Sequence, residues 1–286
     1  MTQSGGGGSA GQQQAVSETF RIQHPAAIVE EVRRAKAGHS RRFRLIFALT
    51  WLVLVGGLAL LIAFSGRVHP EFIQEYGPLF IGGIPLTIGV SIVSIILAVI
   101  FATLGALGRI SRIAPIYAVA TLYVSLVRGT PLIVQIFFIY SALPQFGLVL
   151  PAFIAAVFAL SFNYGAYMTE IFRAGIQAIP RGQIEAAQAL GMTEGQTMRR
   201  VVLPQAIRIV IPAIGNEFIA MIKDSALVSY VGLHELFYLT RTVGSANFAS
   251  FETLIFAAVV YWLLTIVFSL VQERLERRMA ESDRRL

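Results

Sequence analysis

Six apolar blocks, each about long enough to cross a bilayer, constrain this chain more than any other feature. A helix rises about 1.5 Å per residue, so roughly 20 apolar residues cover the roughly 30 Å hydrocarbon core of a membrane. The blocks lie at residues 45–65, 79–107, 115–142, 151–172, 203–222 and 253–271. Of the 286 residues, 56% are hydrophobic and 14% are charged. A soluble domain carries about 25% charge, so too little is left here to cover a water-facing surface. Backbone groups in lipid must be satisfied internally, and helices do this within each block. The expected fold is all-α and polytopic, with six transmembrane helices. The chain has no cysteine, which excludes disulfides, thiol nucleophiles and thiolate metal sites.

The segments outside the blocks set the orientation. Residues 1–24 are rich in Gly, Ser and Gln, a composition that buries too little apolar surface to fold. Gly6, Gly8 and Gly11 match a dinucleotide-binding spacing, and Gly7, Ser9 and Gly11 a nucleophile-elbow spacing. Neither follows a strand or opens a helix, as both chemistries require. Residues 25–44 form a basic juxtamembrane segment with Arg33, Arg34, Lys36, Arg41, Arg42 and Arg44. The first block does not read as a cleavable signal, because the basic region before it is long and no small-residue cleavage site stands out. Arg109 and Arg112 follow the second block, Arg173, Arg181, Arg199 and Arg200 flank the loop after the fourth, and the charged tail 273–286 carries Arg274, Arg277, Arg278, Arg284 and Arg285. The opposite side has Arg67, Lys223 and Arg241. The positive-inside rule then puts both termini in the cytoplasm. The formal net charge of +7 serves topology and not nucleic acid, since it sits at block ends. The stretch Ala226–Val231 is too short to span and is expected at the outer interface or as a re-entrant segment.

The longest charged, non-spanning segment between two blocks is residues 180–204. Gln183–Leu190 reads as a short helix stopped by Gly191, and Thr193 with Gln196 reads as a capping box opening a second helix. Two short helices broken by a glycine form an elbow that feeds the fifth block. Glu185 lies in a first turn, where a carboxylate is favoured, and Ala186 and Ala187 let another surface approach the backbone. The bland alternative is an ordinary solvated loop, but loops within helical bundles usually run about 2–8 residues. The elbow reads as a handle for a soluble partner.

Several ionisable groups fall inside or at the ends of the blocks: Arg128, Glu170, Glu217, Lys223 and Asp224. An Arg at a helix centre costs about 2.5–3.5 kcal/mol on insertion scales, so it is paired, wetted or functional. One reading is a polar pathway lined by these groups with Thr130, Asn163, Tyr164 and Ser225. The other is a structural pair, Arg128–Glu170 or Arg128–Glu217. The run Arg128-Gly129-Thr130-Pro131 is expected to kink the third block and expose carbonyls. The histidines His24, His39, His69 and His234 are not spaced as metal ligands.

Glu185-Ala186-Ala187, Gly191 and Leu203-Pro204 together resemble the EAA loop of ABC importer membrane subunits. Arg128-Gly129-Thr130-Pro131-Leu132 with Gln135, Glu170-Ile171 with Arg173, and Lys223-Asp224-Ser225 with Leu227-Val228-Ser229 resemble the polar amino acid permeases of that family. The match runs from about Gly83 to Gln272. The resemblance implies a five-helix type I core over residues 79–272, with the helix at 45–65 as an N-terminal addition. It implies that Arg181, Gly182, Glu185, Ala186, Ala187, Leu190 and Gly191 couple to an ATPase. The implied partners are two cytoplasmic ATPase subunits, a second permease subunit (identical or related) and an extracytoplasmic amino-acid-binding protein. The chain has no GxxxxGK[ST] phosphate loop, so ATP and Mg belong to the partner subunits and no cofactor or metal is expected here. An importer of another small solute (an opine, another amine or an organic ion) is the alternative. A channel or scaffold would have no use for an ordered elbow. An intramembrane enzyme would need a dyad or metal motif that the spans lack.

Overall fold

A computed structural model describes residues 25–66 and 68–283, with side chains at 42–66 and 68–279. The expectations for the tail 1–24, for Arg67, Arg284 and Arg285, and for the side chains of Arg33, Arg34, Lys36 and Arg41 lie outside the described residues. The chain forms two units, one through Arg67 and one from Val68 onward. In the first, α1 (Pro25–Phe64) is one 40-residue helix, so the basic segment and the first block are continuous. Its spanning part is Arg42–Phe64.

The second unit holds the other ten α-helices. Four further stretches, Pro70–Ile110, Ala152–Gln177, Glu194–Val231 and Ser250–Met279, are long and apolar enough to cross a membrane. A bent pair, Ala114–Arg128 with Leu132–Phe146, makes a sixth crossing when taken as one. The expected block 79–107 begins earlier than expected and is split: α2 (Pro70–Ile81) and α3 (Ile84–Ile110) meet at a turn over Gly82 and Gly83.

The third block is not a single kinked helix. α4 (Ala114–Arg128) and α5 (Leu132–Phe137, continued by wider and tighter turns to Phe146) diverge by 105°. Pro131 has no N–H and disfavours a helical residue before it, which ends α4 and starts α5 afresh. The break leaves carbonyls without helical partners. Gln135 Nε2 donates to Val127 O (2.7 Å) and Thr130 O (3.2 Å), and Thr130 Oγ1 donates to Leu126 O (3.0 Å). Irregular backbone at membrane depth is tolerated only when it is satisfied in this way or lines a cavity.

α6 (Ala152–Gln177) is the central helix. In its most apolar stretch 67% is buried, against 6% for the terminal helix α11 (Ser250–Asp283). It packs on α3 through small residues: Ala98 and Ala102 of α3 and Ala155, Ala156 and Ala159 of α6 are all 0–1% exposed, and Ser161 Oγ donates to Ser94 O (3.0 Å). At Gly105 a Cβ would sit 2.2 Å from Thr169 Oγ1, so only glycine permits this approach. Between lipid-facing helices the hydrophobic effect offers little drive, and close packing of small residues supplies the association.

The handle follows α6 as α7 (Arg181–Ala189) and α8 (Glu194–Thr197), with a wide turn leading into α9 (Leu203–Asp224). Beyond α9 the chain tightens through Ser225–Val231, turns at left-handed Gly232, and forms α10 (Leu236–Ala246).

Candidate functional site

The handle folds by its own local chemistry. Gly191 has φ +79°, and Met192 N–H donates to Ala187 O (3.1 Å) while Gly191 N–H donates to Gln188 O (2.9 Å). These two bonds satisfy carbonyls that a helix end leaves open. Thr193 Oγ1 accepts from Gln196 N–H (3.3 Å), and Gln196 Oε1 accepts from Thr193 N–H (2.9 Å), forming the expected capping box. Arg181, Gly182, Glu185, Ala186 and Gly191 are exposed, and Leu190 is 84% exposed. Ala187 departs from the sequence reading. It is 4% exposed, so it seats α7 on the protein instead of facing a partner.

The second cluster forms around the break between α4 and α5. Thr130, Pro131, Leu132, Asn163, Tyr164, Tyr167, Glu217 and Asp224 line a cavity of about 240 Å³. Gln135 holds one wall: its Nε2 donates to Thr130 Oγ1 (2.8 Å), and its Oε1 accepts from Asn163 Nδ2 (3.1 Å). On the other side Tyr164 OH donates to Asp224 Oδ2 (2.8 Å), joining α6 to the end of α9. Arg128, exposed at the end of α4, lays its guanidinium over the Tyr167 ring at 5.2 Å. A cation–π contact of this kind is favourable without neutralising the charge. The cavity lining therefore carries two carboxylates, Glu217 and Asp224, and one guanidinium rests on a lining ring, that of Tyr167. A ligand carrying both an ammonium and a carboxylate matches that charge layout.

Four of the expected pathway residues do not line the cavity: Arg128, which meets it only through the Tyr167 ring, Glu170, Lys223 and Ser225. Neither expected Arg128 pair forms: among the described residues Arg128 has no carboxylate within 4.0 Å, and Glu170 is taken by Arg109 and Arg173. Glu170 is one helical turn beyond Tyr167, towards the handle, and does not line the cavity. Lys223 is exposed and is not among the lining residues. Ser225 is buried, its hydroxyl donating to Ile222 O (2.7 Å). Gln135 and Tyr167 are the residues that sequence reasoning did not place in the pathway. Gln135 stood inside the quoted motif, but its role depends on the bend.

A larger cavity of about 540 Å³ lies between α3, α4 and α6, lined by Phe101, Leu104, Ile116, Val119 and Phe162 among others. Its one polar lining side chain, Tyr123, spends its hydroxyl on Phe162 O (2.8 Å). It offers nothing to orient a polar solute. No group of three or more His, Cys, Asp or Glu suited to a metal occurs among the described residues.

Two acidic ties near the opposite ends of the spans were also not foreseen. Glu235 is wholly buried and accepts from Tyr238 N–H (2.7 Å), Tyr261 OH (2.7 Å) and Thr87 Oγ1 (3.2 Å). Burial pushes its carboxyl above the usual range, with these hydrogen bonds pulling the other way. His69 Nδ1 lies 2.6 Å from Glu252 Oε1, linking the start of α2 to the start of α11.

Comparison with known proteins fits this geometry. Residues 94–281 match the profile of the family described as binding-protein-dependent transport system inner membrane component. The chain is 44% identical to the L-cystine transport system permease protein TcyB of Bacillus subtilis, over 72% of this chain and 88% of that protein. It is 39% identical to the arginine transport system permease protein ArtQ of the same organism, over 72% and 94% of the two chains. It is 36% identical to the glutamine transport system permease protein GlnP of Escherichia coli, over 71% and 93%. Among solved structures, a chain of an amino acid ABC transporter with histidines superposes with TM-score 0.71 at 44% identity, covering 74% of this chain and 99% of that one. A chain of the MetNI methionine ABC transporter shares the fold at TM-score 0.58 and 21% identity, over 72% and 98% of the two chains. The chain belongs to the family of binding-protein-dependent transport system inner membrane components, the multi-pass permease subunits of ABC importers.

Proposed function

We propose that this chain is the membrane subunit that carries polar amino acids into the cytoplasm, with ATP hydrolysed by separate subunits docked on its handle. The observation that carries the reading is the cavity at the broken third crossing. Glu217 and Asp224 offer carboxylates to an ammonium group, and Arg128 on Tyr167 offers a guanidinium to a carboxylate. Thr130, Asn163 and Gln135 add neutral hydrogen-bonding groups that orient a polar side chain. The relatives named for cystine, arginine and glutamine transport support the same substrate class. Lys223 and Ser225 flank the pathway at the end of α9, and Glu170 serves outside it.

Residues 79–272 form the importer core in this reading, α1 is an addition to it, and both termini face the bacterial cytoplasm with the handle. Two ATPase subunits, a second permease subunit and an extracytoplasmic amino-acid-binding protein complete the assembly, and ATP and Mg stay on the ATPase subunits. Glu185 and the exposed Leu190 are the contact residues on the handle. Rigid α6 and α9, which flank the handle, carry its displacement to the cavity.

Reconstitution in proteoliposomes with the ATPase subunits and the binding protein tests this. ATP-dependent accumulation of one or more polar amino acids is expected, with binding-protein-dependent stimulation of hydrolysis. Accumulation that is independent of ATP, or selective for a solute with no amino acid group, would refute it.

A further inference from the structure

The cytoplasmic end of α6 carries a charged cluster that the pathway does not use. Glu170 accepts from Arg109 Nε (3.1 Å) and from Arg173 Nε and Nη2 (2.9 and 2.6 Å). Arg109 also donates from Nη1 to Thr121 Oγ1 (2.6 Å) and lies over the Tyr117 ring at 5.1 Å. One guanidinium thus ties α3, α4 and α6 together. The side chains of Arg109 and Glu170 are each 18% exposed, so water screens the pair far less than it screens a surface pair.

The same two helices touch again at the cavity. Arg128 stands two helical turns beyond Thr121 on α4, and it rests on Tyr167, one turn from Glu170 on α6. α4 is therefore tied to α6 at its middle, through Arg109, and at its C-terminal end, through Arg128, so it cannot slide along α6 without breaking one contact. The chain leaves α6 directly into the handle at Arg181. The α3–α4 turn is also linked to the handle, where Arg112 pairs with Glu194 at 3.3 Å.

We propose that Glu170, Arg109 and Thr121 are positioning residues that pass handle displacement into α4 and so move the break at residues 129–131 that walls the cavity. A shift of the cytoplasmic end of α6 pulls Glu170, Glu170 pulls the Arg109 guanidinium, and Arg109 pulls α4 through Thr121. The relay rests on the reading that ATPase subunits dock on the handle.

The test compares amino acid imported per ATP hydrolysed in the fully reconstituted importer for Thr121→Val, Glu170→Gln, Glu170→Asp and the handle variant Glu185→Lys. Thr121→Val removes the hydrogen-bonded link from Arg109 to α4 and leaves the Tyr117 ring contact and the ion pairs intact, so it keeps the test open if Glu170→Gln misfolds. Both Thr121→Val and Glu170→Gln are expected to lower the import-to-hydrolysis ratio by about fivefold or more while hydrolysis stays within about twofold of wild type. Glu170→Asp is expected to recover part of the ratio. Glu185→Lys is expected to lower stimulated hydrolysis itself. A wild-type ratio in Thr121→Val and Glu170→Gln, or a parallel fall of import and hydrolysis in both, overturns the relay. With Glu185→Lys still impaired, that result leaves handle docking standing. Undiminished stimulation in Glu185→Lys removes the docking reading, and the relay falls with it.

Discussion

Arg128 and Gln135 show how one proline reorganises the chemistry around it. Pro131 ends α4, and a charge that the sequence puts inside a span comes to stand at a helix end beside a polar cavity. Such a placement lets the guanidinium be wetted, which lowers its insertion cost. Arg128→Ala is expected to abolish amino acid uptake while the protein still inserts, as measured by labelled uptake alongside membrane-fraction immunoblots. Unchanged uptake would make the residue dispensable. Gln135 supplies the hydrogens that the broken helix lacks at Val127 O and Thr130 O. Gln135→Leu leaves buried acceptors unpaired, a loss of about 1–3 kcal/mol, and is expected to lower the thermal midpoint in detergent. The identity of Arg128 as an unusual residue was legible in the sequence. Its surroundings were not, because the nearest contact is a ring on another helix, Tyr167.

At the scale of elements, what a few neighbouring residues decide is what the sequence shows best. The Gly191 stop and the Thr193–Gln196 box each act within about four residues, and both form as read. Gly191→Ala forces a Cβ into the left-handed region, costing about 1–2 kcal/mol. Limited proteolysis is expected to cut the handle of this variant faster, with a smaller stimulation of the ATPase subunits; an unchanged cutting rate would show that the elbow does not depend on this glycine. Elements built from distant partners were hidden. Arg109 and Glu170 are 61 residues apart, Tyr164 and Asp224 are 60 apart, and His69 and Glu252 are 183 apart. Nothing local distinguishes such carboxylates from pathway groups, and for that reason Glu170 read as a pathway residue. The bend in the third crossing was half legible: Gly129 and Pro131 announce a break, but not its 105° angle.

The unit from Val68 onward has a polar seam along its central helix. α6 runs buried through the centre, with Asn163, Tyr164 and Tyr167 at the cavity, Glu170 and Arg173 below them, and the handle at its end. The helix number and the class of the fold followed from block length and charge, because a bilayer permits few alternatives. Which side chains converge between the helices did not, since lipid-facing and partner-facing apolar residues are equally hydrophobic.

The central claim is that work enters through the handle. Because the chain has no cysteine, Leu190→Cys provides a single thiol on the handle's most exposed large apolar residue, and Phe248→Cys provides a control on the exposed loop between α10 and α11. With a thiol-attached photocrosslinker in the assembled importer, Leu190→Cys is expected to capture the ATPase subunit in a nucleotide-dependent yield, and Phe248→Cys none. Capture of the ATPase subunit from position 248, or its absence at position 190 in an importer that hydrolyses ATP, would contradict the claim.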